Sequence, residues 1–443
     1  MAYYILKSYK LKNGPLQFFA SLSGRKDCFF LDSGMNAGGI GRYSFLGFEP
    51  FLKIKGTIEA QSKKLKETFQ QYKINLPGDC PPFLGGAVGY LAYDSGLAVP
   101  DCAFGFYNSA LIIDQHKKLL YLFACGFPEK KYQLSKVLAE SNFKKLSGQV
   151  FVAANTKIVP QRKTPRGEMK LSSNFSKEEY ISAVKKAKEY IRQGDIYQVN
   201  LSQRFEAGSN LSGVEIYQRL RKSSPAPFSA YLRGEDFEII SSSPERFLSV
   251  SKDRVVTRPM KGTRPRSGDK KRDQKLKNEL LKSAKDKAEL LMIVDLERND
   301  LGKVCSYDSI KVTAPRTLET YNTVYQTTAT IEGRLHKNKD RIDLLEACFP
   351  GGSITGCPKK RAMEIIKELE PLPRSIYTGA LGYLSFSGNM DFNILIRTIL
   401  KKNKRVYFGV GAGIVADSDP AQEYAETLVK AKGIKEAINV RNI

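Results

Sequence analysis

Short strand-like runs separated by glycine turns fill the first 150 residues, as in "DCFFLDSG", "GRYSFLGFEPFLKIKG" and "FLGGAVGYLAYD". Alternating apolar positions between Gly-rich turns call for antiparallel sheet rather than βαβ units. The polar stretch 153–172, with Pro160 and Pro165, reads as a boundary. A helix follows in "SKEEYISAVKKAKEYIRQGD", where Ser176 is the N-cap, Glu179 completes a capping box and Gly194 closes the last turn. The runs "IYQVNLSQRFEA", "FSAYLRG", "FEIISSSPERFLSV" and "RVVTRPMKG" read as strands. Helices predicted at 279–299, 340–348, 359–369 and 420–438 then alternate with strands at 378–387, 391–401 and 405–416. Hairpin-like strands mixed with helices predict an α+β chain, organised as an N-terminal region 1–150, a linker 151–175 and a larger unit 176–443.

Composition narrows the function classes. A chain of 443 residues, 42% hydrophobic, can bury a sizeable core. No apolar run approaches the roughly 20 residues that span a bilayer, and "MAYYILKSYKLKNG" lacks the apolar core of a secretory signal. Seven cysteines are scattered without a C-x-x-C pair, and there are only two histidines. That excludes a disulfide framework and a Cys/His zinc site, and predicts a soluble, reduced, cytoplasmic protein. The net charge of +25 raises nucleic acid, a membrane surface or an anionic small molecule as partner. The basic residues run along the whole length, however, and the two densest clusters, near 157–170 and at 264–277, are loop-like. With no helix-turn-helix, zinc finger or strand of stacking aromatics, the expectation is no nucleic acid and no membrane; a nucleic-acid-binding protein is the alternative from another class.

Two acidic helix faces carry the first chemical signal. In "GVGAGIVADSDPAQEYAETLVKAKGI", Asp419 and Pro420 start a helix on which Glu423, Glu426 and Lys430 share a face. Such a face also suits plain solvation. The preceding glycines Gly411 and Gly413 allow main-chain N–H groups close to an anion. In "SAKDKAELLMIVDLERNDLG", Asp286 and Glu289 are again three apart, and Glu289 shares its face with Ile293 and Leu296. A carboxylate on an apolar face needs a partner or a metal. Two such faces without histidine favour a hard, oxygen-preferring ion, Mg²⁺ before zinc.

The stretch "FPGGSITGCPKKRAMEII" has the glycine spacing of a phosphate loop but lacks the Gly-Lys-Ser/Thr ending, and reads as a Gly-rich turn into a helix N-terminus. In "TRPMKGTRPR", Lys261 lies between a Pro-Met step and a Gly-Thr turn. By itself the stretch suits either a basic surface loop or a lysine kept for its amine, which would need desolvation or nearby cations.

These motifs, with "YTGALGY", "DFNILIRT" and "LLMIVDLERNDLGKV", together resemble the chorismate-utilising enzymes, which include component I of anthranilate synthase and of aminodeoxychorismate synthase. The resemblance extends over essentially the whole chain and is strongest from about 176 to 435. It implies two large antiparallel sheets packed together and flanked by helices, with an Mg²⁺-dependent chorismate site between them. It implies Glu289 and Glu426 as direct metal ligands and Asp286 and Glu423 as supporting carboxylates. Tyr377, Arg397 and Lys430, with the main chain of Gly411, Ala412 and Gly413, match the positions that hold the substrate carboxylates, and Ser353 matches a small hydroxyl in the Gly-rich turn. Ser33, Tyr43 and Ser44 fall where relatives bind tryptophan. Two positions depart from the family pattern: Asp286 stands where relatives often have Glu, and Gln326 where many have His.

Within the family, Gln198 resembles the residue of ammonia-using members, since glutamine cannot deprotonate water. Lys261, in "PMKGT", resembles the aminodeoxychorismate branch, where anthranilate synthases typically carry Ala. The resemblance then implies Lys261 as a covalent nucleophile and Glu245 as general acid and base, with an ion pair to Arg246 or Arg258 the structural alternative for Glu245. No glutaminase signature is present, so the implied partners are chorismate and a separate glutamine amidotransferase subunit that supplies ammonia. An aminodeoxychorismate lyase would act downstream, towards 4-aminobenzoate and folate. Anthranilate synthesis is the alternative within the family.

Overall fold

The computed structural model describes residues 3–35, 40–74, 80–156, 170–321 and 324–440; most of the predicted linker and of the basic cluster at 157–170 lies outside them. Two antiparallel sheets carry the fold, one of 12 strands and one of 10. Residues from the first 150 and from the later chain share both. In the larger sheet Phe29–Asp32 pairs with Phe228–Arg233, and in the smaller Gly86–Leu91 pairs with Ala380–Ser385.

Ten helices are present among the described residues: α1 (Pro15–Leu22), α2 (Ile58–Gln71), α3 (Tyr132–Asn155), α4 (Lys177–Arg192), α5 (Gly213–Ser223), α6 (Lys270–Lys282), α7 (Ala284–Gly302), α8 (Arg341–Cys348), α9 (Lys359–Leu369) and α10 (Pro420–Ile438). Local chemistry explains where several begin. Glu179 N–H donates to Ser176 Oγ and Ser176 N–H to the Glu179 carboxylate, the reciprocal box predicted for α4. Asp419 accepts from Gln422 N–H and Pro420 opens α10.

Several expectations change, among them the run "RVVTRPMKG", which is two strands, Arg254–Arg258 and Met260–Pro265. The first 150 residues hold α1, α2 and most of α3 besides strands; α3 is hard to read because Leu134, Val137, Phe151 and Val152 are exposed, which blurs its apolar stripe. The helix predicted at 279–299 is two helices, because Ser283 ends α6 and caps α7 by accepting from Asp286 N–H. Since α6 starts at Lys270 behind its Asp269 cap, most of the basic cluster at 264–277, read as loop-like, is helix.

The main core lies between the sheets. Phe45 from the larger sheet meets Phe83 and Tyr383, with ring centroids 5.5 Å and 5.4 Å away. Each such ring contributes about 2–3 kcal/mol by leaving water. Beneath α1, α5 and α10 a second cluster forms, including Phe19, Ile216, Tyr217 and Ile434.

The described strands change sheet six times, and two of these passages, each inside a run read as a single strand ("FEIISSSPERFLSV" and 391–401), reach the site. One passage is Pro244–Glu245, between strands Phe237–Ser243 and Arg246–Ser251; the other is Leu395–Arg397, between Met390–Ile394 and Thr398–Lys402. Ile394 N–H donates to the Glu245 carbonyl at 3.1 Å and ties the two passages together.

Candidate active site

Both passages open into a cavity of about 480 Å³. Its walls come from strand Met260–Pro265, the Gly351–Thr355 turn, α7, α10 and strand Arg405–Ile414. Neither His116 nor His336 lines it.

Lys261 enters this cavity because of a bulge. Lys261 pairs with Thr327 and Thr263 with Gln326, so Gly262 is an extra residue in the ladder. Its φ of 74° favours glycine, and a Cβ there would lie 2.9 Å from Leu280 and 3.0 Å from Asp286. The Lys261 amine donates to the Ser353 carbonyl at 3.3 Å. Burial lowers its pKa, the Lys430 charge adds to the effect, and Glu289 works against it. The basic-loop reading therefore fails for Lys261, a wall residue with a depressed amine.

Glu245 is buried in the same wall. Burial pushes its carboxyl up to about 7, against the opposing pull of Ser353 and the Lys261 charge. The alternative ion pairs are taken elsewhere: Arg246 holds Asp391 in a two-pronged bond, and Arg258 holds Glu319. A carboxyl that titrates near neutrality can both give and take a proton.

Three buried polar atoms near this cavity lack a well-formed hydrogen bond: Gln198 Oε1, Gln326 Oε1 and Ser353 Oγ, the last with only a weak approach to the Glu245 carboxyl. Leaving each group dry and unpaired costs about 1–3 kcal/mol, so their convergence marks a place for a polar ligand. Gln326 Nε2 is anchored on Thr263 Oγ1 at 3.2 Å, and this neutral amide can bind there but not carry a proton.

The floor is a strand with its side chains removed. Gly409, Gly411 and Gly413 alternate on one face, and none has a positive φ. Space is what they provide. A Cβ on Gly409 would come within 2.3 Å of the Tyr377 ring, and one on Gly413 would lie 2.6 Å from Gln198 Nε2 and 3.4 Å from Lys261 Nζ. Ala412, on the opposite face, packs with Val199 and Leu201 and contributes only its main chain. The sequence reading missed Gly409, although a period of two from Gly411 and Gly413 points straight to it. It also missed Asn200, Arg264 and Lys285, which line the cavity too.

Arg397 sits in this cavity with a left-handed φ of 50°, in the second passage between sheets. Among the described residues it has no ion-pair partner, and burial lowers its pKa. A strained, unpaired guanidinium suits a carboxylate ligand. Tyr377 is buried beside it in the wall, while Lys430 at the mouth pairs with Glu426 at 2.7 Å and donates to the Gly411 carbonyl at 2.8 Å.

Besides Glu245, four carboxylates line the same space, Asp286 and Glu289 from α7 and Glu423 and Glu426 from α10. Burial raises the pKa of Glu289 and Glu423; Asp286 adds to the first effect and Glu426 to the second. For Glu426 burial acts in the same direction, but the charges of Lys430, Lys261 and Lys285 outweigh it and bring the carboxyl below its usual value. Ser418 donates to Glu423, and Arg264 pairs with Asp286 at 3.0 Å. Among the described residues no three potential ligands are already gathered into a metal cage. The donor set, all oxygen and mutually repelling, nevertheless fits a hard divalent cation.

A second cavity, of about 390 Å³, is lined by Ser33, Tyr43, Arg246 and Asp391. Ser44, grouped with Ser33 and Tyr43 in the sequence reading, points instead to Asp32 Oδ1 at 3.0 Å.

Residues 26–436 match the family described as chorismate binding enzyme. The chain is 35% identical to anthranilate synthase component 1 of Acetivibrio thermocellus, over 96% of this chain and 92% of the relative. It is 34% identical to aminodeoxychorismate synthase component 1 of Bacillus subtilis, over 97% and 95%. The crystal structure of anthranilate synthase component I from Streptococcus pneumoniae superposes with a TM-score of 0.78 at 30% identity, covering 89% of this chain and 92% of that one.

Proposed function

The chain belongs to the chorismate-binding enzyme family, and from that premise we propose that it is the component I of an aminodeoxychorismate synthase, which aminates chorismate at C4. The observation that carries this reading is the Lys261 amine, aimed into the cavity by the Gly262 bulge and depressed by burial. Relatives named for both products match almost equally, so identity does not choose between them.

In the proposed reaction, Arg397, Tyr377 and Lys430 orient the substrate carboxylates, with the main chain of Gly411 and Gly413 beneath. The Lys261 amine forms a bond to C2 as the C4–O bond breaks. Glu245 gives its proton to the departing hydroxyl, which leaves as water, and takes one back from the new secondary ammonium. Ammonia then bonds to C4 and the C2–N bond breaks. Glu245 returns a proton to the leaving lysine and removes one from the new C4 ammonium, which restores both residues. The product keeps its enolpyruvyl group.

Glu289 and Glu426 would hold Mg²⁺, supported by Asp286 and Glu423, and the ion would clamp the ring carboxylate and stabilise developing charge. Ammonia would come from glutamine through a partner amidotransferase, in keeping with the name component 1 on both relatives. A lyase would consume the product. No helix among the described residues is long and apolar enough to cross a membrane. The second cavity, beside Ser33 and Tyr43, is the proposed site for tryptophan; calorimetric titration with no heat of binding would remove that assignment.

Anthranilate synthesis is the second reading, favoured by the superposed structure and by the Acetivibrio relative. The deciding assay gives the purified chain chorismate, Mg²⁺ and ammonium, with and without aminodeoxychorismate lyase. 4-Aminobenzoate that depends on the lyase supports the first reading. Fluorescent anthranilate without the lyase overturns it.

A further inference from the structure

The Gly-rich turn that carries Ser353 is gripped from two sides by cations, one half-buried and one buried. On one side Lys359 donates to the carbonyls of Cys348 and Pro350, at 3.0 Å and 2.7 Å, while paired with Asp300. On the other, Arg374 binds main chain, one acid and, at 3.4 Å from its Nη1, the Thr378 hydroxyl. Its Nη1 donates to the Ile354 carbonyl at 3.0 Å and its Nη2 to the Asn200 carbonyl at 2.5 Å. Its Nε and Nη2 hold the two oxygens of Glu370 at 2.9 Å and 2.6 Å. Arg374 is 4% exposed, and the Tyr93 ring covers its guanidinium at 4.7 Å.

Glu370 continues the connection, accepting from Ser202 N–H at 2.8 Å. The pair therefore joins three pieces: the turn, strand Gln198–Gly208 and the end of α9. Asn200 reinforces the joint, its N–H donating to the Thr355 carbonyl at 2.8 Å and its amide to the Ile354 carbonyl at 3.2 Å. Asn200, Ser353 and Ile354 all line the catalytic cavity, and the Lys261 amine rests on the carbonyl of Ser353. A planar guanidinium can hold two carbonyls and a carboxylate at fixed angles, which an ammonium cannot.

We infer that Arg374, braced by Glu370, is a positioning residue that sets the Gly351–Thr355 turn against strand Gln198–Gly208 and so fixes where Ser353 meets the Lys261 amine. The inference rests on the cavity's being the chorismate site, and it holds for either amination product. Arg374 touches neither substrate nor reacting atoms; it acts through the turn.

The test compares the full chain with its Arg374→Lys, Glu370→Gln and Ser202→Ala variants, by chorismate consumption and by amide hydrogen exchange across 349–357. For Arg374→Lys the expected result is a fall in kcat of about 10–100-fold, with KM moved less than about threefold and exchange in the turn faster by about tenfold. Glu370→Gln, which keeps the volume and an acceptor, should show the same pattern more weakly. Ser202→Ala, which removes the hydroxyl's 3.0 Å bond to Glu370 but leaves the N–H bond and both Arg374 carbonyl bonds intact, should stay near the parent. Unchanged exchange in the turn would overturn the inference, as would a kcat loss that only tracks the folded fraction. Failure of both acid–base pair variants to fold would overturn it too, since the pair would then serve folding at large. A parent chain that leaves chorismate untouched would sink the functional reading, while the exchange data would still judge the clamp.

Discussion

The Lys261 amine and the Ser353 carbonyl are 3.3 Å apart, and that bond holds the lysine over the glycine floor beside Glu245. If the amine forms a bond to substrate, removing it abolishes the route instead of slowing it. Lys261→Ala is expected to lose about 10³-fold or more of its lyase-dependent 4-aminobenzoate formation, and Lys261→Arg to recover none of it, because a guanidinium stays protonated. Intact-protein mass spectrometry during turnover should show an adduct on the parent alone. Undiminished product from Lys261→Ala would end the covalent proposal.

Glu245 sets the alkaline side of the pH profile. Its carboxyl is held up to about 7 by burial, so the protonated form needed to expel the hydroxyl is lost as pH rises through that value. Lys261 works in the opposite sense, being more nucleophilic as it deprotonates. The profile of kcat/KM should therefore be bell-shaped with its falling limb near 7, and Glu245→Gln should lose that limb along with about 10²–10⁴-fold in rate. A falling limb retained in Glu245→Gln would assign it to another group.

The metal proposal separates the four carboxylates into two classes. Glu289→Gln and Glu426→Gln, at the proposed direct ligands, should raise the Mg²⁺ concentration needed for half-activity by about tenfold or more. Asp286→Asn should do less, since Arg264 already engages that side chain. Calorimetric titration of Mg²⁺ in the presence of chorismate would check the order without relying on turnover; equal binding by all the variants would refute it.

Much of this cavity was legible along the chain, and the reason is local chemistry. The Glu426–Lys430 pair, the Asp419 cap and the α4 capping box are contacts within four residues, so spacing alone exposes them. The same Ser-x-x-Glu signal stands at Ser212 and Glu215, where the box that starts α5 was overlooked. What could not be read was pairing at a distance. Nothing in residues 29–32 announces a partner at 229–232, and nothing near 198–200 announces Arg374. The two passages that reach the cavity depend on that pairing, so Glu245 and Arg397 could be placed only through the family resemblance.

Glu297, buried on α7, should make the protein's stability depend on pH. The Thr257 hydroxyl lies 2.6 Å from the Phe247 carbonyl and 2.8 Å from Glu297 Oε2, and it has one proton to give. If that proton goes to the carbonyl, Glu297 must be the donor in the second bond and hence protonated. Burial raises its carboxyl from 4.5 to about 8, in agreement. Between those values the folded protein holds a proton that the unfolded chain has shed, so stability falls as pH rises, by up to about 1.4 kcal/mol per pH unit, and levels off above the folded value. Glu297→Gln should flatten this slope and gain in Tm over the parent as pH approaches 8. Parallel Tm profiles for the two proteins would show that Glu297 is ionised in the fold.

Gly413 offers the sharpest test of the floor, because the change is one methyl group. Its φ is ordinary, so alanine fits the backbone there, and the cost must come from space. The added Cβ would lie 2.6 Å from Gln198 Nε2 and 3.4 Å from Lys261 Nζ, both ends of movable side chains. Gly413→Ala is therefore expected to keep its Tm within about 1 °C of the parent, a shift that corresponds to about 1 kcal/mol in a chain of this length. The displaced amide and the lost room should raise KM for chorismate about tenfold or more. Gly409→Ala differs, since its Cβ would meet the buried Tyr377 ring at 2.3 Å, which the packed wall cannot yield. That variant should lose several degrees in Tm together with activity. If Gly413→Ala instead bound chorismate like the parent, the alternating glycines would not be the surface on which the substrate lies.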